Sequence, residues 1–243
     1  VFVLVVGVMA GLGQATARLF VGFRPLRAYR FDILGSLAGI AAFTGLSFLD
    51  QPPGTWGVIA CAGLLILLAP RIRWWQILAV GAVATLLLLE SVVPAQEWSP
   101  YNKLSYNQTH GATGALYVSA NNIPYQAARS LAVMHKQKAF YFYPYRHVTK
   151  ASLGNVLIIG SGTGNDAAVA LSEGARHVDT VEIDPLLVRL GNMHPNHPYS
   201  SPRLTAHIDD GRAFLQDTSQ HYNLILFALP DSLTALAGQS GIR

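Results

Sequence analysis

"NVLIIGSGTGND", residues 155–166, is the stretch on which the fold turns. Val156 to Ile159 form an unbroken aliphatic run, the pattern of a strand buried on both faces. Gly160, Ser161, Gly162, Thr163 and Gly164 then make a glycine-rich turn, and a helix is expected over 165–173. Glycines let a backbone approach a ligand closely, and a helix N-terminus offers free N–H groups. The spacing is G-x-G-x-G, without the third glycine of the dinucleotide fingerprint, and no P-loop lysine follows.

Reading onward, the pattern alternates. "HVDTVEI" (177–183) is a second strand, and 185–193 a helix opened by Asp184 as cap with Pro185 in its first position. "RLTAHI" is a third strand, 211–217 a helix, and "YNLILFA" a fourth strand. Strands separated by helices predict a parallel sheet with right-handed crossovers. Glu182 ends the second strand about 20 residues after the glycine turn, where a carboxylate can hold both ribose hydroxyls. Asp210 and Gly211 follow the third strand. The ends of three strands thus converge on one nucleoside.

Reading backward, residues 94–150 form a separate small unit. "KLSYNQ" and "GALYVSA" alternate as short strands around a glycine-containing turn, and a helix is expected over 125–137. Tyr141, Tyr143 and Tyr145 alternate as a strand face would. His194 and His197 lie in a Pro-rich stretch without a third ligand nearby, which predicts a solvated loop rather than a zinc site. Asp209 reads as a solvated neighbour of Asp210.

Residues 1–93 differ in kind. They hold no lysine, and their charges are confined to Arg18, Arg24, Arg27, Arg30, Asp32, Asp50, Arg71, Arg73 and Glu90. Apolar segments at 1–23, 31–49, 56–70 and 74–93 approach the roughly 20 residues a helix needs to cross hydrocarbon. Four in series are not a cleaved signal peptide, so about four spans and a lipid bilayer as partner are expected. Gly7, Gly11, Gly35 and Gly39 would let helices pack closely, while Arg18 and Glu90 can snorkel at span ends. "RPLRAYR" (24–30) reads as a basic loop on the inner side. Simple alternation from there sends residue 94 outside. A sequence that begins at Val1, within an apolar run, reads as a fragment.

Overall charge is low: 12% of residues are charged and the net charge is +4. No basic stripe with interleaved aromatics points to nucleic acid. Cys61 is the only cysteine, which excludes a disulfide framework and a Cys-based metal site. No metal is expected, and homo-oligomerisation is left open.

"VLIIGSGTG", "VEIDP", "DDGRAFL" and "YNLILFALPDS" follow one another at the spacing of the spermidine/spermine synthase family, and "SPYNKLSY" and "LYVSANNIPYQ" resemble its N-terminal β-hairpin region. The resemblance spans about residues 98–232. It implies an α/β class I S-adenosylmethionine-dependent methyltransferase-like, Rossmann-like domain, which would follow the multi-helix transmembrane region (1–93) expected from the apolar segments. That domain would comprise a hairpin unit (94–150) and a nucleoside-binding part (151–243), truncated after the fourth strand. The family transfers an aminopropyl group from decarboxylated S-adenosylmethionine to a polyamine precursor, which implies that co-substrate, or S-adenosylmethionine itself, and a polyamine partner. Membrane helices fused ahead of such domains occur among bacterial relatives, implying a bacterial inner (plasma) membrane protein. Its ligand is cytoplasmic, and the soluble domain is placed on that side against the span count.

Carried over by position, Glu182 and the neighbouring Ile183 would line the ribose site, and Asp210 with Gly211 the adenine. Gly160, Ser161, Gly162 and Gly164 would hold the sulfonium nucleoside, and Asn102 stands where the family commonly has a ligand-contacting glutamine. Two positions depart. Thr163 replaces the loop aspartate that helps hold the amine, and Ala228 replaces the catalytic aspartate ending the fourth strand. Asp231 remains as the candidate catalytic carboxylate, or else caps the helix that "PDSLTAL" begins. Methyl transfer, or nucleoside binding without catalysis on a transporter-like bundle, are the alternatives that Ala228 leaves open.

Overall fold

The computed structural model describes residues 2–69, 72–109, 114–149 and 153–228. The chain divides into two compact units, Val1–Leu49 and Asp50–Arg243.

The first unit holds α1 (Phe2–Phe20) and α2 (Pro25–Phe48). The basic loop expected over 24–30 is instead mostly helix. Pro25 occupies the first position of α2, where its fixed φ favours helix and its missing N–H costs nothing. Arg27 and Arg30 therefore lie within the first turns of α2. Among the described residues, no neighbouring atom lies within 4 Å of a Cβ built at Gly7, Gly11, Gly35 or Gly39, so the close packing expected there is not seen between them.

The second unit starts with α3 (Pro53–Leu68) and α4 (Trp74–Ser91), which pack on each other. Here glycine does permit close approach. A Cβ on Gly54 would fall 2.8 Å from Ser91 Oγ, and one on Gly57 would overlap Leu87. The Gly54 amide donates to Ser91 Oγ at 2.7 Å. By length and composition, α2 and α4 can cross a membrane; α3, with 16 residues, is shorter.

Past α4 lies an antiparallel sheet in the order β1 (Gln96–Trp98), β2 (Lys103–Gln108), β3 (Leu116–Ala120), β4 (Ile123–Ala128). Asn121 and Asn122, with φ of 51° and 67°, form the two-residue turn between β3 and β4; asparagine tolerates the left-handed region that such a tight hairpin demands. The helix expected over 125–137 is confined to α5 (Leu131–Gln137). Tyr125 to Ala128 lie in β4 instead, with Gln126, Ala127 and Ala128 paired to β3, tertiary pairing overriding the helical preference of Gln and Ala. Nor do Tyr141, Tyr143 and Tyr145 form a strand. Two 3-10 turns, Ala139–Phe142 and Pro144–His147, carry Tyr141 and Tyr145, with Tyr143 between them, and Pro144 at the start of the second favours a turn over a ladder.

The last layer is a parallel sheet: β5 (Asn155–Ile159), β6 (His177–Glu182), β7 (Leu204–Ile208) and β8 (Leu224–Phe227), ordered β7-β6-β5-β8. The crossovers carry α6 (Asn165–Ser172), α7 (Pro185–Gly191) and α8 (Gly211–Asp217). Asp184 caps α7 as expected, accepting from the Leu186 amide. One core joins Val156, Ile158 and Val178 to the alanine face of α6, Met134 and Phe142. A second joins Leu186, Leu187 and Leu190 of α7 to Leu104, Leu116 and Val118 of the antiparallel sheet. Each such buried side chain contributes about 1.5–3 kcal/mol of transfer free energy, and the second core fixes the antiparallel sheet against the parallel one.

Candidate functional site

In this strand order the chain winds outward from β5 through β6 to β7, then crosses to β8 on the other side of β5. The reversal leaves a crevice beyond the carboxyl ends of β5 and β8, the place where open α/β sheets bind ligands. The turn "GSGTG" sits at its edge. Gly160, Gly162 and Gly164 have φ of 77°, 53° and 99°, values that side chains with a Cβ adopt only with strain.

Three partners hold this turn. The Gly162 amide donates to Glu182 Oε2 at 2.7 Å, while Glu182 Oε1 accepts from the Asp184 amide at 3.1 Å. Glu182 is buried, and burial raises its pKa despite these bonds. On a second side, Gln126 Oε1 of β4 accepts from both the amide and the hydroxyl of Thr163, at 2.9 and 3.0 Å. On the third, the Tyr199 hydroxyl donates to the Gly162 carbonyl at 2.7 Å and lies 3.0 Å from Ser161 Oγ.

The remaining expected residues separate into groups. Asp210 caps α8, its Oδ1 accepting from the amides of Arg212 and Ala213. Gly211 is explained by packing, since a Cβ there would fall 2.5 Å from Ile159 Cγ2. Ile183 is exposed after β6. Asn102 accepts from Asn121 and lies beside Asp184, which is itself bonded to Ser99 at 2.7 Å. Asp231 lies outside the described residues.

The crevice encloses about 850 Å³, within the usual range for small-molecule sites. Gly160, Ser161, Asn165 and Asp166 form one wall, and Leu226, Phe227 and Ala228 of β8 another. Tyr125 and Gln126 of β4 and Arg129 just after it close the crevice, with Met134, Lys138 and Tyr141 beyond. Burial raises the Asp166 carboxyl to about 6.

Several of these residues escaped the sequence reading. Gln126 and Tyr199 carry no local signal, because their roles exist only once the antiparallel sheet and the segment after α7 meet the turn. Asp166 was legible in principle as an acid in the first turn after Gly164. His194 corrects an expectation: it is fully buried rather than solvated. Its Nδ1 accepts from the Asn196 amide at 3.0 Å, so its Nε2 carries the proton toward Asn165 Oδ1 at 3.1 Å. Burial lowers its pKa to about 4. Asn165 also accepts from the Arg129 amide and donates to the Ala127 carbonyl, fixing the end of β4 against the turn. Among the described residues, no group of three or more His, Cys, Asp or Glu side chains is arranged to hold a metal ion.

A parallel sheet ordered β7-β6-β5-β8, with a glycine turn after its first strand and a carboxylate ending its second, defines a Rossmann-like, doubly wound fold. Residues 145–237 match the family model described as "Spermine/spermidine synthase domain". The chain is 31% identical over 106 residues to a polyamine aminopropyltransferase of Alkaliphilus metalliredigens, covering 41% of this chain and 37% of that protein. A polyamine aminopropyltransferase of Pectobacterium carotovorum is 36% identical over 95 residues, covering 36% and 33%. The chain thus spans about a third of the length of these curated relatives. Among solved structures, a probable spermidine synthase from Corynebacterium glutamicum superposes with a TM-score of 0.41 at 20% identity, covering 54% of this chain and 50% of that one.

Proposed function

We propose that residues 94–243 form a spermidine-synthase-like transferase domain that binds S-adenosylmethionine or its decarboxylated form. Helices within residues 1–93 would anchor it to a bacterial plasma membrane, with the domain on the cytoplasmic side. The observation that carries the nucleoside reading is the bond between the Gly162 amide and Glu182, which brings the glycine turn and the strand-end carboxylate into one site. Glu182 would hold the ribose hydroxyls. Asp210, whose Oδ2 is free of hydrogen bonds among the described residues, would receive the adenine amino group.

Group transfer from a sulfonium is an in-line displacement. The acceptor atom bonds to a carbon on sulfur, the C–S bond breaks, and the thioether leaves with the electron pair. An amine acceptor must also give up a proton to a nearby base. Ala228 provides no base at the end of β8, and Thr163 provides none in the turn. This favours a second reading, methyl transfer to another acceptor, over aminopropyl transfer to a diamine. Asp231 is the carboxylate that would restore the first.

Two incubations of the full chain distinguish the readings: decarboxylated S-adenosylmethionine with putrescine, and methyl-labelled S-adenosylmethionine with a lipid extract. Spermidine in the first supports aminopropyl transfer, and labelled lipid in the second supports methyl transfer. Turnover in neither, with nucleoside bound, would leave a binding module. For the anchor, a reporter fused after residue 150 should fluoresce in the cytoplasm; signal only from a periplasm-competent reporter would contradict the assignment.

A further inference from the structure

The crevice contains three charged side chains that the account above does not use: Asp166, Arg129 and Lys138. Asp166 projects from the first turn of α6. Arg129 directly follows β4, its Nη1 donating to Gln137 Oε1 at 3.3 Å and its guanidinium 5.8 Å from the centre of the Tyr117 ring. Lys138 lies with its Nζ 5.9 Å from the Phe140 ring centre. Among the described residues, none of the three forms an ion pair with another or with any other side chain. Among the described residues, Arg129 is held in place by neutral partners.

One anionic and two cationic groups around one cavity suit a ligand bearing both signs. A ligand with only an ammonium would satisfy Asp166 but face Arg129 and Lys138, and a diamine would face them twice. An α-amino acid end satisfies both, because its ammonium complements the carboxylate and its carboxylate complements the guanidinium, which can bind it bidentately. The cavity reaches Gly160 and Ser161, so a nucleoside on the Glu182 side of the turn can extend its tail into it.

Resting on the nucleoside reading above, we propose that the crevice binds the zwitterionic amino acid terminus of S-adenosylmethionine, with its ammonium at Asp166 and its carboxylate at Arg129 and Lys138. The domain therefore selects S-adenosylmethionine over the decarboxylated form.

The test is calorimetric titration of the full chain in detergent with S-adenosylmethionine, decarboxylated S-adenosylmethionine and methylthioadenosine, which lacks the charged tail. The carboxylated ligand should bind at least about tenfold more tightly than the decarboxylated one, the scale of one charge-assisted hydrogen bond. Arg129→Gln and Asp166→Asn should each weaken S-adenosylmethionine by roughly tenfold while leaving methylthioadenosine nearly unchanged. Equal or tighter binding of the decarboxylated form by the unaltered chain would overturn the inference, whatever the variants do. Failure of all three nucleosides to bind would overturn the nucleoside reading beneath it.

Discussion

The Gly162 amide and the Glu182 carboxylate, 20 residues apart in sequence, meet at 2.7 Å. This bond closes the glycine turn over the end of β6, and Gly162 is the residue in the turn least free to change. Its φ of 53° is left-handed, and a Cβ there would press into the Gln126 amide. Gly162→Ala should cost roughly 2 kcal/mol, most of it from the left-handed backbone. Gln126→Ala removes its own two bonds to Thr163, so the contact is read as a cycle: Gly162→Ala should cost less in the Gln126→Ala background than in the natural chain. Thermal melts of both single variants and the double measure this, and an equal cost in the two backgrounds would contradict the Gln126 contact.

Tyr199 ties the same turn from the other side. Tyr199→Phe keeps the ring but removes the hydroxyl that bonds the Gly162 carbonyl and neighbours Ser161. Loss of about 1–3 kcal/mol is expected, because a buried carbonyl loses its donor. An unchanged melting temperature would show that water replaces the hydroxyl.

His194 predicts a pH dependence with a definite sign. Its folded pKa of about 4 lies below the ordinary 6.5, so the unfolded chain binds the extra proton between those values. Its contribution is complete above pH 6.5 and is lost as pH falls toward 4, by about 3 kcal/mol in all. Asp166, raised to about 6 from 3.8, acts in the opposite direction and offsets part of this between pH 6 and 4. His194→Gln should destabilise at pH 7, and its deficit relative to the natural chain should narrow by pH 5. A deficit constant across that range would contradict the neutral, buried assignment.

The sequence made the parallel half legible because each signal there is local: an aliphatic run, a glycine turn, an aspartate with proline behind it. Asp184 and Pro185 behave as that pattern dictates. The reading failed where structure depends on distant partners. Gln126 to Ala128 are strand only because β3 pairs with them, and His194 is buried only because Asn165 and Asn196 satisfy its ring. The site divides the same way. Glu182 was legible from its spacing, whereas Gln126, Tyr199 and Arg129 reach the turn and the crevice from segments that carry no pattern of their own.

The central claim is that the Gly160–Gly164 turn and Glu182 bind an adenosyl nucleoside. Titrating methylthioadenosine into the full chain and into Glu182→Ala tests it most directly, since this ligand engages the nucleoside site without the charged tail. The account predicts measurable binding by the natural chain and a loss of roughly tenfold or more in the variant, the scale of hydrogen bonds to a charged group. Equal affinity for both proteins would contradict it.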